Sequence, residues 1–206
     1  MMSALLSATV VSAGAQDPRT GPKLDAPTKA AVTAVVDSAR AQGIPVEPLW
    51  DKMYEGAVKG ADGPRIVAAV RSLALELASA QRSLGAVAST DEIKAAASAM
   101  HAGVPAVELG KMKKQSGLRR SLTLPFTVLA DIVSRGVPVS TAANAIRSLV
   151  GAGAKDKDIN DFQRGVKDDI QQGAPPAAAA ETRAKASGKP DKPEKSDKPD
   201  QGQDER

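Results

Sequence analysis

Four times in this chain a glycine, an apolar residue and a proline stand in a row: Gly43-Ile44-Pro45, Gly103-Val104-Pro105, Gly136-Val137-Pro138 and Gly173-Ala174-Pro175. Glycine adopts φ > 0 without steric cost, which makes it the common residue just past a helix's last turn. The residue before a proline is pushed out of the α region, while proline itself fits the first turn of a new helix. Each triplet is therefore a stop followed by a restart, with Ile44, Val104 or Val137 set to tuck into the corner. Such punctuation predicts helices joined by tight corners.

The flanks keep helical spacing. Val32, Val35, Val36 and Ala39 precede the first triplet, and Leu49 and Met53 follow it; Leu109 and Met112 follow the second, and Ala142 and Ile146 the third. These are one-face positions of a helix, and no segment sustains the alternation of a strand. The longest helix is expected from Pro64 to Leu84, with Ile66, Val70, Leu73, Leu77 and Leu84 on one stripe. Ser89 followed three residues later by Glu92 is a capping box that opens another helix before Ile93. A further one begins at Asp156 to Asp158 and carries Ile159, Phe162, Val166 and Ile170 on one face. Aromatic residues are only 2% of the chain, so the core must come from Ala, Leu, Val and Ile, which suits closely packed helices.

Successive triplets lie 60, 33 and 37 residues apart. The last two spacings fall in the range of helix-pair repeats, and they predict an all-α fold, an irregular array of short helical hairpins or a bundle of about eight helices. Arg82-Ser83-Leu84 and Arg147-Ser148-Leu149 each precede a glycine-containing loop and an acidic helix start, as a loose repeat would. The domain organisation expected is a leader at 1–15, a flexible linker at 16–27, an all-helical domain at 28–186 and a disordered tail at 187–206. The leader reading rests on the apolar run from Ala4 to Val11 and on Ala13-Gly14-Ala15, small residues where signal peptidase cuts. No Lys or Arg precedes that run. The tail reading rests on its Lys-Pro-Asp and Lys-Pro-Glu units and its lack of any large apolar residue to offset the entropy of ordering.

Several kinds of chemistry are excluded or unsupported. The chain has no Cys, which removes disulfides, zinc fingers and thiol catalysis. No Gly-x-Ser-x-Gly elbow and no phosphate-binding loop is present. His101 is the single histidine; it falls in the last turn of an expected helix, where it meets the negative end of the dipole, and no carboxylate is near it in sequence. Asp156-x-Asp158-x-Asn160 opens like a calcium loop, but Asp161 stands where the turn glycine belongs and Lys167 where the bidentate Glu belongs. Helix capping explains these acids better. No metal or cofactor is expected, and the chain reads as non-enzymatic.

Two groups remain as candidate binding residues. Trp50 and Tyr54 stand at i, i+4, so they share one side of the helix after Pro45; there they either floor a groove for a peptide or glycan or pack as ordinary core. Beside them, Gly56 interrupts a helix and implies close approach by a neighbour. Lys111, Lys113, Lys114, Arg119 and Arg120 form the densest basic cluster, suited to an anionic polymer or membrane surface. No aromatic residue interleaves it to stack bases, and the net charge of +4 is modest, so nucleic acid is not the expected partner.

The stretch from Gly43 to Gly85 resembles predicted exported helical proteins of environmental bacteria. Gly43-Ile44-Pro45, Glu55-Gly56, Lys59-Gly60, Arg65-Ile66 and Ala69-Val70 carry the likeness, which continues to about Pro175. The resemblance implies export and helicity and transfers no site residue. Together these readings lead to an expectation of an exported, non-enzymatic binding or scaffold protein of the bacterial cell envelope, with a protein, peptide or anionic envelope polymer as partner. An electrostatic binder acting through Lys111 to Arg120, and an enzyme whose carboxylates converge only in the fold, are the alternatives.

Overall fold

Each Gly-apolar-Pro triplet lies between two helices in the computed structural model, which describes residues 24–117 and 120–187. Among the described residues there are nine helices, where the sequence suggested about eight, and no strand: α1 (Ala26–Ala41), α2 (Glu47–Val58), α3 (Gly63–Leu84), α4 (Thr90–His101), α5 (Ala106–Ser116), α6 (Thr123–Ser134), α7 (Val139–Gly151), α8 (Asp156–Gln171) and α9 (Pro176–Ser187). The expected leader, most of the linker, the tail from residue 188 onward and Arg119 lie outside the described residues. The first helix starts at Ala26, inside the stretch read as linker, because the Asp25 side chain accepts the Thr28 N–H at 2.7 Å and Pro27 occupies the first turn.

The triplets join α1 to α2, α4 to α5, α6 to α7 and α8 to α9, so eight of the helices form four hairpins. At the second corner Gly103 has φ 102° and at the third Gly136 has φ 91°. The Gly103 N–H donates to the Met100 carbonyl and the Val104 N–H to the Ala99 carbonyl, both at 2.9 Å. Gly136 and Val137 bond back to Val133 and Ile132 in the same pattern, at 2.9 and 3.1 Å. This closure supplies donors to carbonyls that a helix end otherwise leaves unpaired. Ile44, Val104 and Val137 are buried in their corners, whereas Ala174 is only partly so. Pro105 and Pro138 take the N-cap position rather than the first turn, one residue earlier than the triplet alone suggests.

Packing divides the chain into two compact units, Met1–Ala74 and Leu75–Arg206, with the division inside α3. In the first unit α1 packs on α2, and Val32, Val36, Leu49, Ile66 and Val70 are buried. Gly56 of α2 lies against Ile66, where an added Cβ would come within 2.9 Å of Cγ1. That is the close approach its position in a helix implied.

In the second unit the hairpins stack in register. α4 lies on α6 and α6 on α8, while α5 lies on α7 and α7 on α9. First helices form one layer and second helices another, as in helical-repeat folds. Helix α6 is central: Phe126, Val128, Leu129 and Ile132 are fully buried and it contacts α4, α7 and α8, leaving Thr127 and Ser134 exposed. Small residues bring backbones close, and a Cβ on Gly110 of α5 would stand 3.0 Å from the Ser83 carbonyl oxygen.

An added Cβ at Gly103 meets nothing within 4 Å, so Gly103→Ala carries only the cost of φ > 0. We expect it to lower stability by about 1–2 kcal/mol in urea unfolding, with helical content unchanged. A stability equal to that of the parent chain would contradict the corner geometry.

Candidate functional site

The basic segment is carried by α5 and the connection to α6, and the structure does not leave its charges free. Lys113 is 10% exposed at its side chain, and its Nζ donates to both carboxylate oxygens of Glu92 at 2.8 Å. Glu92, itself 3% exposed, also accepts the Leu122 N–H at 2.8 Å and the Ser89 N–H at 3.1 Å. Ser89 Oγ accepts the Glu92 N–H in return, which completes the capping box. One buried carboxylate therefore ties the start of α4 to α5 and to the residue that precedes α6. Burial alone would push the Glu92 carboxyl up, but hydrogen bonds from Lys113, Leu122 and Ser89 outweigh it and hold it below the ordinary glutamate value.

Lys111 donates to Glu108 at 2.8 Å, and the other Glu108 oxygen lies 3.6 Å from Arg147 of α7. Lys114 is exposed. Arg120 is partly buried, with one terminal guanidinium nitrogen buried and lacking a hydrogen-bond partner. Density of charge along the sequence thus resolves into two cations engaged by carboxylates, one exposed cation and one half-buried guanidinium.

On α2 the aromatic pair takes different environments. Trp50 is half-buried, Tyr54 is 58% exposed and Val58, one turn further, is 61% exposed. The i, i+4, i+8 spacing lines these three side chains along one side of the helix, next to the face that Leu49 buries. Tyr54 is therefore not core, because the buried stripe of α2 is narrow. Beside the row, Lys59 and Lys52 both hydrogen-bond Glu55, and they hold its carboxyl well below the usual range.

His101 sits in the last turn of α4, as its sequence position required. The fold supplies the carboxylate that the sequence lacked nearby, Glu76, 3.2 Å from Nδ1. Asp158 accepts the Lys155 N–H at 2.7 Å, which makes it a helix cap. Among the described residues no group of three or more His, Cys, Asp or Glu side chains is placed to hold a metal ion.

A groove of about 260 Å³ opens between α7 and α9. Thr141, Asn144 and Ser148 form one wall and Glu181 and Lys185 the other, over Ala145 and Ala184. Hydroxyls, an amide and two opposite charges suit it to hydrogen-bonded recognition of a small polar molecule. Each of these residues is ordinary alone, so none stands out in the sequence. The available signal was the repeat offset: Asn144 to Glu181 and Ser148 to Lys185 are each separated by the same 37 residues as Gly136 and Gly173.

No protein family, curated protein or solved structure matches this chain.

Because Glu92 titrates below its ordinary value, its contribution to stability is complete above about pH 4.3 and is lost as the pH falls through the lower folded value. Lys113→Ala leaves a buried carboxylate unpaired and should cost about 3–5 kcal/mol at neutral pH, whereas Lys114→Ala should change stability by less than about 0.5 kcal/mol. Urea unfolding from pH 7 downward checks both, and the gap between Lys113→Ala and the parent should narrow in acid. A gap that widens in acid would contradict this electrostatic account.

Proposed function

We propose that this chain is a non-enzymatic binding or scaffold protein, exported to the cell envelope, that engages a partner protein through α2. The observation that carries this reading is the row of half-buried Trp50 and exposed Tyr54 and Val58. Tyrosine and tryptophan offer large contact areas at a small entropic cost, and they are enriched among residues that dominate binding energy. The partner's chemistry follows from the rim. Lys52 and Lys59 are both engaged by Glu55, so the row is bordered by charge that is largely neutralised within the helix. That favours the apolar face of an amphipathic segment over an anionic polymer. The basic segment lends less support to an electrostatic surface, since Lys111 and Lys113 are paired with Glu108 and Glu92.

Export rests on the small residues Ala13-Gly14-Ala15 after the apolar run from Ala4 to Val11. No helix among the described residues is long and apolar enough to cross a membrane.

Fusing the full chain to a reporter that is active only outside the cytoplasm should give activity that deletion of residues 1–15 abolishes. Activity independent of that stretch would overturn the export reading. For the surface, Tyr54→Glu combined with Val58→Glu should weaken retention of an envelope partner by about tenfold, a loss of ~1.4 kcal/mol. Circular dichroism should show an unchanged helical content. Equal retention by the two proteins would count against α2.

A further inference from the structure

Second-layer helices meet at two seams, and the side chains treat them differently. Between α5 and α7 the space is filled by long side chains. Arg147 reaches to 3.6 Å from Glu108, and Gln115 Nε2 lies 3.0 Å from where a Cβ on Gly151 would stand. Between α7 and α9 the α7 wall is made of the short residues Thr141, Asn144, Ala145 and Ser148, and a groove stays open.

Two charges line that groove without internal use. Glu181 and Lys185 stand at i, i+4 with the acid first, the arrangement that ordinarily pairs on a helix surface. Glu55 and Lys59 of α2 do pair in this spacing. Among the described residues Glu181 and Lys185 have no ion-pair partner, and both line the groove.

We propose that the α7–α9 seam binds a zwitterion of dipeptide size, its ammonium group at Glu181 and its carboxylate at Lys185. Spacing selects the size. Four residues of helix span about 6 Å, and an extended dipeptide covers about 7 Å. In a free amino acid the two charged groups share one carbon and span only part of that distance. Asn144 and Glu181, and Ser148 and Lys185, are repeat-equivalent pairs 37 residues apart, and all four line the groove. Asn144 Oδ1 already accepts from Arg147, so its amide N–H groups are left to meet the peptide carbonyl. The Ser148 hydroxyl adds a donor to the ligand's carboxylate. No aromatic ring lines the groove, which favours a peptide over a sugar, whose faces stack on such rings.

Isothermal titration of the full chain with Ala-Ala tests the assignment, alongside its N-acetylated and C-amidated forms and free alanine. Binding should be seen for Ala-Ala and should fall at least about tenfold on capping either end, with alanine weaker than the dipeptide. Glu181→Gln should remove the discrimination against the acetylated form, and Lys185→Met that against the amidated form. Both residues are exposed, so the fold should survive, and circular dichroism verifies it. Absence of Ala-Ala binding, or binding that neither variant alters, would overturn the proposal. Neither outcome bears on the α2 surface, which belongs to a different helix.

Discussion

A helix that stops leaves its last carbonyls without donors, and any chain built of many short helices must satisfy them at every corner. Here one solution recurs. A glycine amide bonds three residues back, and the following amide bonds five residues back, at Gly43, Gly103, Gly136 and Gly173. The same pair of bonds closes α2 at Gly60-Ala61 and α7 at Gly153-Ala154, where no proline follows. Proline thus marks the corner within a hairpin, while its absence marks two of the links between hairpins. The buried apolar residue in three of the four proline corners anchors the turn to the core, and the following helix therefore leaves in a fixed direction. Stacking of successive hairpins in register then needs only that each presents aliphatic sides of similar width.

That requirement explains the composition. With four aromatic residues in 206, the helices approach through alanine and glycine. Ala96, Ala97 and Ala99 of α4 are buried, as are Ala142, Ala143 and Ala145 of α7. Close packing leaves no room for solvent around the Glu92 carboxylate, so its charge has to be met by specific donors from three parts of the chain. The result is a polar fastening inside an aliphatic stack, and it uses up a cation that the sequence displays as part of a basic cluster.

Legibility in the sequence follows the range of the interactions. Corners and caps are local, and they could be read directly: Ser89 and Glu92 are three residues apart, and the triplets are contiguous. The second role of Glu92 was not readable, since Lys113 and Leu122 lie 21 and 30 residues away and nothing in either marks a buried partner. Periodicity placed Trp50 and Tyr54 on one side of α2 but could not say how wide the buried stripe is. In the structure the fully buried side chain of that helix is Leu49, which leaves Tyr54 outward. The α7–α9 groove lies between short side chains of α7 and two charged ones of α9, on helices one repeat apart, and only the shared offset of 37 residues hinted at it. Helix α6 leaves only a narrow polar stripe outward, with Thr127 and Ser134 exposed, so its one-sided pattern is weaker than in most of the other helices.

The measurement closest to the central claim is hydrogen exchange, resolved by residue, at the second amide of each corner. If the closure at Gly103 and Gly136 organises the stack, the Val104 and Val137 amides should exchange as slowly as those in the buried middle of α6, opening only with the unit as a whole. Exchange of these two amides at the rate of an unstructured loop, while α6 stays protected, would mean that the corners are passive connections and that something else sets the register.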